Sequence, residues 1–85
     1  MKLKVLYFAS IREKVGTGAE EVELPAGVAT VEGLRSHLRG RGGAWAEALA
    51  EGKLLRMAVN QEMVPGAATV KAGDEVAFFP PVTGG

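Results

Sequence analysis

Leu3, Val5 and Tyr7 alternate with Lys4, Leu6 and Phe8 along the opening of the chain. A period of two in β-forming residues sends neighbouring side chains to opposite faces. It predicts a strand over Lys2 to Phe8 with one face fully buried and the other partly covered. Ser10 then offers an N-cap for a short helical turn from Ile11 to Val15, which Gly16-Thr17-Gly18 breaks. Alternation resumes with Glu21 and Glu23 on one side and Val22 and Leu24 on the other. This second strand is stopped by Pro25-Ala26-Gly27 and is expected to pair with the first as a hairpin-like unit.

The period changes after Thr30. Val31, Leu34 and Leu38 fall at i, i+3 and i+7, the apolar stripe of a helix capped by Thr30, with Glu32, Arg35 and Arg39 turned to water. Gly40, Gly42 and Gly43 stop this main helix. A second short helix follows in AWAEALAEG, where Trp45, Ala48 and Leu49 share a face and Gly52 stands at the expected C-terminal cap. Leu55, Met57 and Val59 alternate with Leu54, Arg56 and Ala58 as a third strand. Asn60-Gln61-Glu62 turns the chain, Met63-Val64 returns, Ala72-Gly73-Asp74 turns again, and Glu75 to Phe79 makes the last strand. That order of strands and helices describes an α+β domain, a mixed sheet packed against one main helix. It resembles the β-grasp, or ubiquitin-like, order, with residues 1–79 as the domain and 80–85 as a projecting tail.

Composition narrows the functions such a domain can have. A chain of 85 residues has room for one core. With 47% hydrophobic and 24% charged residues and a formal charge of zero, it carries no global field to hold nucleic acid or an anionic membrane. There is no cysteine, which removes disulfides, thiolate zinc sites and a cysteine nucleophile, and which fits a reducing cytoplasm. The apolar run Val5 to Ala9 is shorter than the roughly 7 to 15 residues of a secretory core and far from the roughly 18 of a membrane span.

Catalytic constellations are equally thin. His37 is the sole histidine, and neither Ser10 nor Ser36 has the glycines of a nucleophile elbow. Alternation puts Glu21 and Glu23 on one face and Glu20 on the other, with no histidine or cysteine ligand near, so no metal site is expected. Gly16-Thr17-Gly18 lacks the third glycine of a dinucleotide fingerprint. Arg39-Gly40-Arg41-Gly42-Gly43 holds no interleaved aromatic, and cations at a helix C-terminus are accounted for by the macrodipole.

The tail reads differently. After Phe78-Phe79, the prolines Pro80 and Pro81 lack N–H donors, cannot extend the sheet and stiffen the exit from the strand. Pro80 to Gly85, fully extended, would reach about 20 Å. Val82 and Thr83 lead to Gly84, which can slide past pocket walls without a Cβ, and to Gly85, whose carbonyl carbon is unhindered. A terminal carboxylate with a pKa of about 3.3 to 3.7 is an anion at neutral pH and a poor electrophile. Acyl chemistry at Gly85 therefore calls for activation by a good leaving group such as AMP.

With the residues in view, VLYFASIRE, AVNQEMV and AGDEVAFFPPVTGG, set in a ubiquitin-like order of elements, resemble the MoaD family, the small sulfur-carrier subunits of molybdopterin synthase. The resemblance spans essentially the whole chain; Arg39 to Gly52 carries no family signature. The related ThiS carriers of thiazole synthesis also end in Gly-Gly but are shorter and typically lack the FFPPV approach. The resemblance implies no bound cofactor. It implies an ATP-dependent activating enzyme of the ubiquitin-activating type that adenylates the Gly85 carboxylate, and a sulfur donor that converts it to a thiocarboxylate. The tail, Pro80, Pro81, Val82, Thr83 and Gly84, then enters the large synthase subunit, in a heterotetramer of two small and two large subunits. There Gly85 delivers sulfur to cyclic pyranopterin monophosphate.

For docking, Phe78 and Phe79 must point to opposite faces of the last strand, so only one enters the core; Phe79, adjoining the tail, is assigned to the partner and Phe78 to the core. Phe8 and Arg12 match family positions beside that surface. Other readings remain open at this point: sulfur donation to tRNA or to thiamine thiazole synthesis, a ubiquitin-like modifier conjugated to lysines, and a binding module with an inert tail.

Overall fold

The opening alternation forms strand β1, Lys2–Tyr7, in a computed structural model that describes residues 1–81. Leu3, Val5 and Tyr7 are buried on its core side. Phe8, expected to end the strand, instead adopts the extended N-cap position of α1, Ala9–Val15, and its carbonyl accepts the N–H groups of Ile11 and Arg12. Ser10 does not cap this helix, because the chain turns as soon as it leaves β1, with Ala9 at φ 51°, and Ser10 falls inside the first turn. Gly16 closes α1 in the left-handed region at φ 83°, its N–H donated to the Arg12 carbonyl. Glycine carries no Cβ to strain that position.

Strand β2, Ala19–Glu23, runs antiparallel to β1 with Leu3 opposite Val22, as the hairpin-like reading expected. The last strand, β5, Glu75–Phe79, has the expected bounds and lies parallel to β1, Val5 opposite Val76. Strand β3, Arg56–Val59, pairs antiparallel with β5, and the two-residue β4, Glu62–Met63, pairs with β3. The sheet order is β2-β1-β5-β3-β4, the mixed sheet of a β-grasp domain.

Helix α2, Val31–Arg39, packs on one face of this sheet through Val31, Leu34 and Leu38, all fully buried. Its cap is the expected one: Thr30 Oγ1 accepts the Gly33 N–H at 3.0 Å. A cap of this kind contributes about 1 kcal/mol. Arg35 does not face water as expected. It is half-buried, and its guanidinium donates to the carbonyls of Leu49 (3.0 Å), Ala50 and Lys53 (2.9 Å). The short helix α3, Gly43–Ala48, ends at Leu49, three residues before the expected cap at Gly52. It buries Ala48 and Leu49 against the core, and the Trp45 ring meets Tyr7 edge-on at 5.2 Å. With three carbonyls of residues 49–53 gathered on Arg35, the chain stays in a loop, β3 begins at Arg56, and Leu54 is left 80% exposed.

Candidate functional site

The parity of β5 separates its two aromatic residues. Phe78 is fully buried and stacks on Tyr7 with ring centroids 6.4 Å apart. Phe79 points to the other face of the sheet, which no helix among the described residues covers, where it is half-buried and meets Phe8 edge-on at 6.0 Å. Phe8 is 45% exposed and Met63 52%. These side chains, with Leu6, Ala58, Gln61, Glu75 and Ala77, line an open hollow of about 350 Å³. An exposed and a half-buried aromatic ring with an exposed methionine, gathered around a concavity, are the features of a docking surface rather than of a solvated sheet face. The sequence expectation named Phe8 and Phe79 and missed Leu6, Ala58, Gln61 and Met63. Leu6, Phe8, Ala77 and Phe79 share one parity on paired strands, a signal that could have found Leu6.

Arg12 stands one helical turn beyond Phe8, its backbone N–H on the Phe8 carbonyl at 3.3 Å. Its guanidinium lies against the turn before β2: a Cβ added to Gly18 would stand 3.1 Å from Arg12 Nε. The structure thus brings Phe8 and Phe79 together and sets Arg12 at a separate hollow shared with Ala9 and Thr17.

Immediately after Phe79, Pro80 and Pro81 are half-buried. They form one wall of a second hollow of about 350 Å³, whose other walls include Ile11, Lys14, Leu54 and Leu55. The base of the tail therefore leaves the domain between two apolar surfaces. Val82, Thr83, Gly84 and Gly85, the remaining tail residues and the expected reactive end, lie outside the described residues.

One charged cluster was not legible in the sequence. The Tyr7 hydroxyl donates to Glu20 Oε2 at 2.8 Å, Arg41 donates to both Glu20 carboxylate oxygens at 2.8 and 3.0 Å, and the Arg41 guanidinium lies 4.4 Å over the Trp45 ring. Burial first, and then the bond to Glu20, pushes the Tyr7 hydroxyl far above the usual tyrosine range. Burial pushes the Glu20 carboxyl up, but the hydrogen bonds from Arg41 and Tyr7 and the Arg41 charge together outweigh it and hold the group below its ordinary value. The cluster ties α3 and the segment after α2 to β1 and β2. Glu21 and Glu23 are exposed on the opposite side of β2, as alternation required, and His37 is exposed on α2. Among the described residues no group of three or more His, Asp or Glu could hold a metal ion, and no helix is long and apolar enough to cross a membrane.

Comparison with known proteins bears on the whole chain. The model of the ThiS family matches residues 5–85. The molybdopterin synthase sulfur carrier subunit of Escherichia coli is 55% identical over 83 residues, which cover 98% of this chain and 99% of that protein. The protein of the same name from Haemophilus influenzae is 52% identical over 83 residues, with the same coverage. Among solved structures, SAMP1 from Haloferax volcanii superposes with a TM-score of 0.78 at 30% identity, covering 100% of both chains.

Proposed function

The chain belongs to the ThiS family, and from that premise we propose that it is a sulfur carrier subunit of molybdopterin synthase, with the Gly85 carboxyl group as the carrier. In the activating enzyme a Gly85 carboxylate oxygen attacks the α-phosphorus of ATP, pyrophosphate leaves, and an acyl adenylate forms. Sulfur at the sulfide level then attacks the acyl carbon, the C–S bond forms as the C–O bond to AMP breaks, and a thiocarboxylate remains. ATP is a reactant of the activating enzyme here, not a cofactor of this chain.

The loaded tail enters the large synthase subunit, and its sulfur is delivered to cyclic pyranopterin monophosphate to build the dithiolene of molybdopterin. This chain supplies sulfur and position; the groups that catalyse the transfer belong to its partners. Pro80 and Pro81 stiffen the tail's base, and Phe79, Phe8 and Arg12 serve docking, in an assembly of two small and two large subunits. Activation that draws on ATP, and a chain without cysteine, support a cytoplasmic location for this chemistry.

The single observation that carries this reading is the placement of the exposed Phe8 ring against the half-buried Phe79 ring, directly ahead of Pro80-Pro81, in a chain matched by its family through Gly85. A partner that grips those rings holds the tail's base at a set distance from its own active site. Reconstitution tests it: the thiocarboxylated chain, the large subunit and cyclic pyranopterin monophosphate should together yield molybdopterin. Sulfur passing instead only to a tRNA-thiolating or thiazole-forming acceptor would overturn the assignment to molybdopterin synthase.

A further inference from the structure

Strands β3 and β4 are joined by the two residues Asn60 and Gln61, and both have positive φ, 50° and 70°. A two-residue hairpin with that geometry is a type I′ turn, whose second position favours glycine because any Cβ there is strained. Asn60 is suited to its place. Its N–H donates to the Glu75 carbonyl at 2.8 Å, its Oδ1 accepts the Glu75 N–H at 3.0 Å, and its Nδ2 donates to Asp74 Oδ1 at 3.1 Å. These bonds clamp the turn to the start of β5. Gln61 is not suited to its place, since a long side chain gives no local support to a left-handed backbone. It is also the only glutamine in the chain.

The strained residue lines the docking surface. Gln61 lines the hollow formed by Leu6, Phe8, Met63 and Phe79, and it is the one uncharged polar side chain in that lining. A carboxamide both donates and accepts, which is what an exposed backbone peptide group requires of a partner. Backbone strain that persists beside a binding surface points to a use for the side chain it aims. On the sulfur-carrier reading, we infer that Gln61 is a recognition residue for the large subunit: its carboxamide hydrogen-bonds a peptide group of that partner while the apolar hollow receives the partner's hydrophobic side chains. The Asn60 clamp and the left-handed turn hold the carboxamide there. The hollow is continuous with the base of the tail through Phe79, so a partner that takes the tail covers Gln61 too.

The test compares Gln61→Gly, Gln61→Ala and Phe79→Ala in thermal unfolding and in calorimetric titration against the large subunit. Gln61→Gly relieves the turn and should raise Tm by about 2 to 5 °C, the relief exceeding the added unfolded-state freedom, while weakening binding about tenfold. Gln61→Ala keeps the strain, so it should weaken binding equally with no gain in Tm. If either Gln61 variant binds within about twofold of wild type while Phe79→Ala does not, the inference is overturned and the carrier reading stands. A fall in Tm for Gln61→Gly overturns the strain argument on which the inference depends. Failure of the wild-type chain itself to bind the large subunit overturns the carrier reading, and this inference with it.

Discussion

Replacing Phe79 by alanine separates docking from folding, because the ring sits half-buried at the boundary between the sheet and its uncovered face. Its one aromatic partner there is Phe8, edge-on at 6.0 Å. Such a pair contributes about 0.5–1.5 kcal/mol beyond its buried area. With the ring's partial burial added, Phe79→Ala should cost the free domain about 1 to 2 kcal/mol. A domain of this size registers each kcal/mol as about 4 to 8 °C in Tm, so the variant melts lower but remains folded at 25 °C. In a complex that covers the patch, loss of a central aromatic anchor costs about 2 kcal/mol or more, a weakening of Kd of about 30-fold.

The assay is calorimetric titration of wild type, Phe79→Ala, Phe8→Ala and the double variant against the large subunit, at a temperature where all four are folded. The two rings touch, so their effects should be non-additive by about 0.5 to 1.5 kcal/mol. An unchanged Kd for Phe79→Ala, with the fold intact, would refute the assignment of this face to docking. Additive losses would show that the rings act at separate places.

Two further substitutions probe the scaffold. Glu20 has a depressed carboxyl pKa in the folded state, so its stabilisation is present above the ordinary value of 4.5 and is lost as the pH falls through the lower folded value. Glu20→Gln should therefore lower stability by about 1 to 2 kcal/mol at pH 7, with the gap to wild type closing as the pH falls below 4.5 through the lower folded value; a gap independent of pH would contradict the pairing with Arg41. Arg35→Met keeps the aliphatic stem but removes the donors to Leu49, Ala50 and Lys53, at a cost of about 1 to 3 kcal/mol. Hydrogen exchange at the Lys53 amide, which bonds to the Ala50 carbonyl, should quicken, and unchanged protection there would show the loop to be held by something else.

What the sequence conveyed and what it withheld divide along the range of the interactions. Alternation in Leu3, Val5, Tyr7 and in Glu75 to Phe79 is local and strong; the last strand formed where it was placed and the first did so up to Tyr7, as did the Thr30 cap and the Val31, Leu34, Leu38 stripe. The parity argument put Phe78 and Phe79 on opposite faces from local pattern alone, and the adjacency of Phe79 to the tail chose correctly which ring stays out of the core. The errors lie where distant residues decide. Nothing near Arg41 marks Glu20, 21 positions away, as its partner, and nothing in α2 marks Arg35 as the residue that holds the 49–53 loop. That loop in turn moved the start of β3 past Leu54 and ended α3 before Gly52. Ser10 failed as a cap because a turn at Ala9, set by the exit from β1, started the helix earlier than side-chain chemistry suggested.

On the proposed sulfur-carrier function, one atom, the carboxyl carbon of Gly85, carries both activation and sulfur. Intact-mass analysis of the chain after incubation with the activating enzyme, ATP and a sulfur donor tests this most directly, with fragmentation to locate the change. The expected result is the mass change of one oxygen replaced by sulfur, assigned to Gly85 and absent without ATP. Deleting Gly85 or adding one residue after it displaces the reactive carbon by about 3.5 Å, and misplacement by even 1 Å can cost on the order of 100-fold in rate. Both variants should fold and fail to support molybdopterin synthesis. Sulfur found elsewhere in the chain, or either variant acquiring the mass and sustaining synthesis at the wild-type rate, would contradict the claim.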